Sequence, residues 1–259
     1  MRSWRWRRVG ALLIALAATP ARGAACPDAA SAIATDRPDV TNSSLVVPTG
    51  SLQLENGVNR QVRAGATTLD ATNSRLRAGI GDCTELLADL PNDVGPTRGH
   101  APSGFTDLTP AVKRQLGPLP ADVVASAVVG LGLPTGSAKL VPPGANPYLQ
   151  VPWSRELAGG WGLSGMVTAF WFPQRDRGNP TVEPTFVLER ALDQRTDLFV
   201  EYVADVAPHA SAGQLINTGG AWRLSPTQQI DIHGGFGFAG DAPRWFVGLG
   251  YSVRFDALF

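Results

Sequence analysis

Residues that commonly carry catalysis are sparse in this chain. Its three histidines are His100, His209 and His233, and none has a second histidine or a cysteine at the spacing of metal ligands. His233 lies two residues from Asp231, so the two side chains would share one face of an extended strand. A catalytic pair is one interpretation of these two residues, and a solvated pair in a polar lumen is the favoured one.

Two glycine-containing stretches superficially resemble catalytic or binding motifs. Residues 162–165 read Gly-Leu-Ser-Gly, which lacks the spacing of the Gly-x-Ser-x-Gly nucleophile motif. Residues 130–136 contain three glycines, as a phosphate-binding loop would, but Pro134 interrupts them and no helix is predicted to follow. We therefore interpret this stretch as a turn into a loop. From these observations we predict a protein that is not an enzyme and has no metal ion or cofactor.

The composition favours strands and excludes several classes of protein. The chain has 259 residues with 29 glycines and 21 prolines, which disfavours long helices and favours strands joined by turns. Its mean hydropathy of -0.01 is too polar for a helical membrane protein. Lysine occurs only at positions 113 and 139, and no basic patch stands out, so no nucleic-acid partner is predicted.

The N-terminus has the three parts of a secretory signal peptide. Arginines crowd the first eight residues, an apolar run covers 9–18, and Pro20 ends it before the small residues Ala21 and Gly23. The apolar run is too short to span a membrane, so residues 1–23 are predicted to be a cleaved signal peptide rather than an anchor. This segment contains five of the 22 basic residues and none of the 22 acidic ones, which leaves the mature chain with a net charge of −5.

From Ser51 to the C-terminus, apolar and polar residues alternate with a period of two, which predicts strands. Twelve such segments have about the 9–11 residues that a tilted membrane strand needs. Tight connections are predicted at 81–83, 117–121, 158–160, 193–195 and 225–228, and longer loops at 63–71, 91–104, 134–147, 173–180, 207–213 and 240–243. Because short and long connections interleave, we predict an all-β fold, a single antiparallel transmembrane β-barrel of about 12 strands over 51–259 in the bacterial outer membrane. Residues 24–50 would form a periplasmic N-terminal segment.

One face of the predicted strands collects most of the charged residues, which we expect to face the lumen. These candidates are Glu55, Arg75, Arg77, Glu85, Asp89, Asp107, Lys113, Glu183, Glu189, Asp197, Glu201, Asp205, Arg223, Asp231, His233, Arg254 and Asp256. Both signs of charge are present, so the wall does not select ions of a single sign. Since 8 strands fill with side chains and 16 leave an aqueous channel, a barrel of 12 suggests a narrow pore or a plugged lumen.

The last predicted strand carries an apolar row that faces the lipid and ends on an aromatic residue. The row includes Tyr251, Val253, Phe255 and Phe259, with Arg254 and other polar residues on the opposite face. An apolar row is required there because an arginine or lysine at the bilayer midplane costs about 2–4 kcal/mol. A terminal aromatic resembles the C-terminal signal of bacterial outer-membrane proteins, so we expect the barrel-assembly machinery and outer-membrane lipid as partners.

Residues before and within the first strand resemble a known family. Asp36, Arg37, Pro38 and Asp39, then Gly50, then Gln53, Glu55 and Gly57 are similar to the start of outer-membrane proteins named for the phenol-degradation meta pathway. The resemblance extends over most of residues 36–259. It implies a transporter-like barrel that takes up small compounds, aromatic or hydrophobic ones included, although no residue here selects phenol. Cys83 is an addition to the family pattern.

Two hypotheses of different class follow. The first is a pore or transporter for small compounds whose identity the sequence does not give, and the second is a non-conducting structural or enzymatic barrel. Asp36, Arg37 and Asp39 fit either a plug that pairs with barrel charges or a solvated periplasmic tail.

The two cysteines of the mature chain, Cys26 and Cys83, share an oxidising compartment. A disulfide between them is the leading interpretation, and it would hold residues 36–50 at the periplasmic mouth. Two free thiols and a lipid anchor on Cys26 are the alternatives. The lipid anchor is the weakest of the three, because the usual leucine three positions upstream is replaced by Gly23.

Overall fold

The computed structural model describes residues 26–173, 179–208 and 210–259. The predicted signal peptide and His209 lie outside these residues. Strands dominate the described part, whose helical pieces are two short 3-10 turns at Pro120–Asp122 and Ala158–Gly160. No helix among the described residues is long and apolar enough to cross a membrane.

Fourteen strands form one antiparallel sheet in the described part of the chain. They are β1 (Leu52–Arg63), β2 (Ala66–Gly81), β3 (Thr84–Asp89), β4 (Asp93–Arg98), β5 (Gly104–Phe105), β6 (Thr109–Leu119), β7 (Val123–Gly132), β8 (Asn146–Leu157), β9 (Trp161–Trp171), β10 (Pro180–Ala191), β11 (Thr196–Asp205), β12 (Gly213–Ser225), β13 (Gln228–Ala239) and β14 (Trp245–Phe255). Because β1 pairs with both β14 and β2, the sheet closes on itself. Twelve strands make the ring, and β4 and β5 extend it beside β2, so the predicted 12-stranded barrel is confirmed.

Alternation along each strand separates an apolar exterior from a polar interior. In β14, Leu249, Tyr251 and Phe255 are exposed, whereas Ser252 and Arg254 between them are buried. The same inversion recurs around the ring, where the exposed side chains are mostly large and apolar and many of the buried ones are polar or charged. A barrel in lipid requires this arrangement, since its outer surface meets hydrocarbon and its strands satisfy their backbone groups by pairing.

The two rims of the barrel differ in the length of their connections. The short-turn rim carries the connections 82–83, 120–122, 158–160, 192–195 and 226–227. The long-loop rim carries the loops 133–145, 206–212 and 240–244 and the connection between β9 and β10. Apart from the connections predicted at 63–71 and 91–104, this matches the predicted interleaving.

The loop predicted at 63–71 is wrong, because a two-residue turn joins β1 to β2 there. Ala64 and Gly65 both have positive φ, of 48° and 79°, as the tight hairpin turns that suit twisted strands require. β2 therefore begins at Ala66 and runs to Gly81, 16 residues in all. Its first half, Ala-Thr-Thr-Leu-Asp-Ala-Thr-Asn, is polar at most positions and gives no clear alternation.

The loop predicted at 91–104 is also largely strand. β4 continues beyond β3 along the same edge of β2, after a break at 90–92, and pairs with β5. β6 then returns beside β3. Asp107 thus lies between two strands rather than within one, and its carboxylate accepts hydrogen bonds from the backbone of Thr135 and Gly136 in the next loop.

The apolar row predicted to run unbroken to Phe259 stops earlier. β14 ends at Phe255, and Ala257 has a positive φ of 55°. The N–H of Leu258 donates to the carbonyl of Gly50, so the final residues turn toward the start of β1. Phe259 is 73% exposed and lies beyond the last strand.

The residues before β1 run through the middle of the barrel. We call residues 33–50 the inner segment. It contains no regular element, and Thr49 forms an isolated bridge with Gly79. Its side chains and backbone contact strands on every side of the ring, including β1, β2, β6, β8, β11 and β13. A segment that reaches so many strands lies inside the ring, so the interpretation of a solvated tail is wrong.

Candidate functional site in the barrel interior

A buried cluster of charges joins the inner segment to β1, β2, β3 and β6. The guanidinium of Arg77 contacts Glu55 at 2.9 Å and Glu85 at 2.9 Å, and all three residues are fully buried. Lys113, also fully buried, lies 3.3 Å from a carboxylate oxygen of Asp36. These strand residues share the inward parity of their strands, and the inner segment supplies Asp36 as their partner.

Asp36 completes the charge balance of this cluster. Its carboxylate lies 3.0 Å from Arg75 and 3.4 Å from Arg77, and its backbone N–H donates to Glu55 at 2.9 Å. Burial alone raises the pKa of Asp36, but Arg77, Lys113 and Arg75 lower that pKa by more, and the net shift is downward. The carboxylate stays ionised. Removing one member would leave a buried charge without its partner, which is strongly destabilising.

Arg37 points to the adjoining part of the wall, on the other side of β1, where β1, β13 and β14 surround its guanidinium. Its guanidinium lies 3.3 Å from Asp231 and donates to the carbonyl of Leu249 at 3.4 Å. Gly57 and Gly250, which face each other across β1 and β14, make room for it. A Cβ atom on Gly57 would clash with the guanidinium, and one on Gly250 would come within 2.5 Å of Nε. The absence of side chains at these two positions therefore forms the seat of the Arg37 guanidinium.

Glu201 of β11 anchors Val40 and Thr41 of the inner segment. It accepts hydrogen bonds from the backbone N–H groups of Val40 and Thr41 at 2.9 and 2.8 Å, from the Thr41 hydroxyl at 2.8 Å and from Asn217 at 2.9 Å. Asp39 is held close by. Burial raises the pKa of Asp39 well above its ordinary value, and the neighbouring carboxylates of Glu201 and Glu189 add to the shift.

The rest of the inner segment is held by hydrogen bonds, and a covalent bond precedes it in the chain. Asn42 donates to Gln150 at 2.9 Å, Ser44 and Ser154 hydroxyls lie 2.6 Å apart, and the N–H of Val47 donates to Glu85. Near the short-turn rim, Gly50 donates to the carbonyl of Gly79, against which Val47 and Pro48 pack. Cys26, which precedes the inner segment, forms a disulfide with Cys83 in the turn between β2 and β3, with a Cα separation of 5.3 Å.

Cavities lie on both sides of the inner segment. One of about 240 Å³ opens toward the long-loop rim, between the segment and residues that include Asn59, Arg75, Asp89 and His233. Another of about 290 Å³ opens toward the short-turn rim, where hydroxyl and charged side chains from β8 to β13 line it. Arg37, Pro38, Asp39 and Asn42 border both cavities. These residues are the partition between the two halves of the lumen.

The remaining candidates are spread over the lumen and its rims. Asp89 accepts from Arg75 at 2.6 Å, Ser164 donates to Glu189, and Arg223 pairs with Asp197. Arg254 lies 2.8 Å from Asp256 and donates to the carbonyls of Ala29 and Ser31. Glu183 and Asp205 line a third cavity, at the long-loop rim.

Asp231 and His233 do not act on one another. Asp231 pairs with Arg37, whereas the ring nitrogens of His233 lie 3.0 Å from Asn59 and 3.3 Å from Asn217. Each residue is thus engaged separately. In the described part of the chain, no group of three or more His, Cys, Asp or Glu side chains could hold a metal ion.

Sequence reasoning missed the uncharged residues of the site. Thr41, Asn42, Gln150 and Asn217 hold the inner segment, but a search for charged residues passes over them. Gln150 and Asn217 could have been found as polar residues of inward parity in β8 and β12, whereas Thr41 and Asn42 lie outside any strand and gave no such signal. Nothing in the sequence pointed to Gly250, because the room it leaves for the Arg37 side chain is seen only in the fold.

A closed ring of 12 strands with an apolar exterior and a charged interior defines an outer-membrane β-barrel. A family model described as "Putative MetA-pathway of phenol degradation" matches residues 35–255, and the chain belongs to that family. No curated protein sequence matches this chain significantly.

Two solved structures resemble the barrel. The chain is similar to the COG4313 outer membrane channel from Pseudomonas putida F1, with a TM-score of 0.62 and 15% identity over 81% of this chain and 97% of that one. It is also similar to the KdgM porin, with a TM-score of 0.53 and 7% identity over 78% of this chain and 99% of that one. At these identities the likeness concerns the fold.

Proposed function

We propose that this protein is a narrow pore for small compounds in the outer membrane, with the inner segment as its constriction. The short-turn rim would face the periplasm, as the short connections of outer-membrane barrels do. The observation that carries the proposal is the pair of cavities on either side of Arg37, Pro38, Asp39 and Asn42. Solutes would pass between these residues and the wall.

The lining supports passage of small solutes that have both polar and apolar parts. Charges of both signs surround the constriction, with Arg37 and Arg75 next to Asp36 and Asp89. Farther toward the long-loop rim, Tyr148 packs with an inward apolar cluster that Phe170 extends. The family description refers to phenol degradation, and the name of the KdgM relative is that of a porin. Aromatic compounds are therefore the first class to test.

A non-enzymatic role fits the interior best. The pair with most resemblance to an acid and base, Asp231 and His233, is divided between Arg37 and two asparagines. The buried charges otherwise neutralise one another around Asp36. Such mutual pairing suits a rigid wall and a fixed constriction.

Single-channel recording in planar bilayers tests the proposal. We expect a steady open level for the purified, folded protein. Arg75→Gln should shift the reversal potential in a salt gradient toward cations, because it removes a positive charge from the cavity at the constriction. Arg114→Gln is the matched control, since Arg114 is exposed and donates to residues of the turn outside the lumen.

A folded barrel that inserts but carries no current would contradict the pore and favour the non-conducting alternative. An Arg75→Gln protein with unchanged selectivity would show that ions avoid the path past the inner segment.

A further inference from the structure

The third cavity, at the long-loop rim, has about 550 Å³ and a composition different from that of the constriction. It lies between the outer ends of β9 to β12 and the loop 240–244. Its described lining has three carboxylates and one basic residue, Arg63, along with aromatic and aliphatic side chains.

Two of these carboxylates face each other across neighbouring strands. Thr185 is opposite Val203 and Val182 is opposite Val206, so the register of β10 and β11 places Glu183 directly across from Asp205. Like charges in directly opposed positions are destabilising, and a cation bound between them would remove that repulsion. Asp241 adds a third carboxylate from the loop after β13. Among the described residues, the ion pairs of the barrel include none of these three.

An aromatic surface adjoins the carboxylates. Phe170 and Phe172 of the β9 end stack with ring centroids 6.2 Å apart and planes 12° from parallel. Phe170 is directly opposite Thr181 on β10, two residues from Glu183. Aromatic faces attract both flat apolar rings and cations.

A buried hydroxyl in the wall of this cavity is available to a ligand. Thr181 is only 6% exposed and lines the cavity, yet its Oγ1 is buried and has no hydrogen-bond partner in the described residues. Buried polar groups nearly always have partners, so this hydroxyl is available to a polar group of a ligand that enters the cavity. The hydroxyl lies between the phenylalanine surface and the carboxylate pair.

We infer that this cavity binds organic cations with an aromatic body, such as arylalkylammonium ions. The ammonium group lies between Glu183 and Asp205, the ring stacks on Phe170 and Phe172, and Thr181 accepts a hydrogen bond from the ammonium. The inference rests on the proposed function, for which it names a preferred class of solute at the entrance.

Isothermal titration of the folded full-length barrel with three matched probes tests the inference. The probes are 2-phenylethylammonium, the neutral 2-phenylethanol and the anionic 3-phenylpropionate. We expect the ammonium to bind about ten-fold more tightly than the alcohol, the effect of one charged hydrogen bond, and the anion to bind least. The variant Glu183→Gln/Asp205→Asn should abolish this preference and leave binding of the alcohol unchanged. Asp122→Asn, in an exposed turn at the short-turn rim, is the matched control.

Two further variants keep the test decisive if the double variant fails to fold. Asp241→Asn changes a loop outside the strands and should weaken ammonium binding several-fold, and Thr181→Val should do the same without loss of shape. Equal binding of the three probes, tighter binding of the anion, or unchanged preference in these variants would overturn the inference.

The two proposals fail separately. A barrel that conducts but has no preference for the ammonium refutes the cation site alone. A barrel that binds the ammonium but carries no current refutes the pore alone.

Discussion

At the scale of residues, Asp36 and Arg37 hold the inner segment by opposite charges on either side of β1. Asp36 meets the cations of β2 and β6, and Arg37 meets Asp231 of β13. These two adjacent residues thus fix the segment to two adjoining parts of the barrel wall. The contacts of Asp36, Arg37 and Gly57, which the sequence resemblance singled out, give each of them a structural role.

Gly57→Ala should loosen the inner segment without a change of charge. Its methyl group would clash with the Arg37 guanidinium, and overpacking of this kind costs about 1–3 kcal/mol. Hydrogen exchange of residues 36–42, followed by mass spectrometry, should become roughly ten- to a hundred-fold faster. Gly81→Ala is the control, because a Cβ at Gly81 meets no atom within 4 Å. Equal protection in the two variants would disprove the seat.

Asp39 should make docking of the segment depend on pH. Its pKa is raised in the folded state by burial and by Glu201 and Glu189, so the folded protein keeps a proton that the undocked segment releases. Docking therefore weakens as the pH rises above the ordinary carboxyl pKa of about 3.9 toward the raised value. Protection factors of residues 36–42 should be higher at pH 5 than at pH 8, and Asp39→Asn should reduce this difference. The same difference in the variant would show that Asp39 is not the source of the pH dependence.

At the scale of elements, alternation predicted the strands because lipid outside and water inside impose opposite polarity on successive residues. It failed where this contrast fades, as in the polar first half of β2, and where β3 and β4 are interrupted at 90–92. The inner segment could not be placed from sequence, since it has no periodicity. Charged residues of its binding surface were predicted from parity, and the plug interpretation offered Asp36 as a partner of barrel charges, but which charges it meets emerged only from the fold.

The disulfide should stabilise the attachment of this segment to the barrel. Cys26 and Cys83 are 57 residues apart, and closing a loop of that length stabilises by about 4 kcal/mol in the chain-entropy account. Reduction should lower the urea midpoint of unfolding and speed exchange in the inner segment. A Cys26→Ser/Cys83→Ser protein should already show both changes and respond no further to reductant. A wild-type midpoint that reduction leaves in place would argue against this function.

The C-terminal residue belongs to the same scale, as the end of the element that closes the ring. Phe259 is exposed beyond the end of β14, where the assembly machinery can bind it. Deletion of Phe259 should lower the amount of heat-modifiable barrel in outer-membrane fractions, whereas Leu224→Ala, another exposed apolar residue, should not. A normal amount of folded barrel after the deletion would show that the assembly machinery does not need it.

At the scale of the whole molecule, 12 strands enclose more space than side chains alone fill and less than an open channel needs. The inner segment occupies that intermediate space and leaves cavities on either side. The barrel thus needs the segment both as filler and as counter-charge for its buried arginines and lysine. The central claim is that this segment sets the width of a conducting path.

Single-channel conductance of a barrel without the segment tests this claim most directly. The test protein lacks residues 26–47 and carries Cys83→Ser, and the control is the full-length Cys26→Ser/Cys83→Ser protein, which keeps the segment. Our account predicts a steady, small conductance for the control and a several-fold larger one for the truncated barrel. Equal conductance of two folded barrels would contradict it, because the segment would then not obstruct the path of the ions.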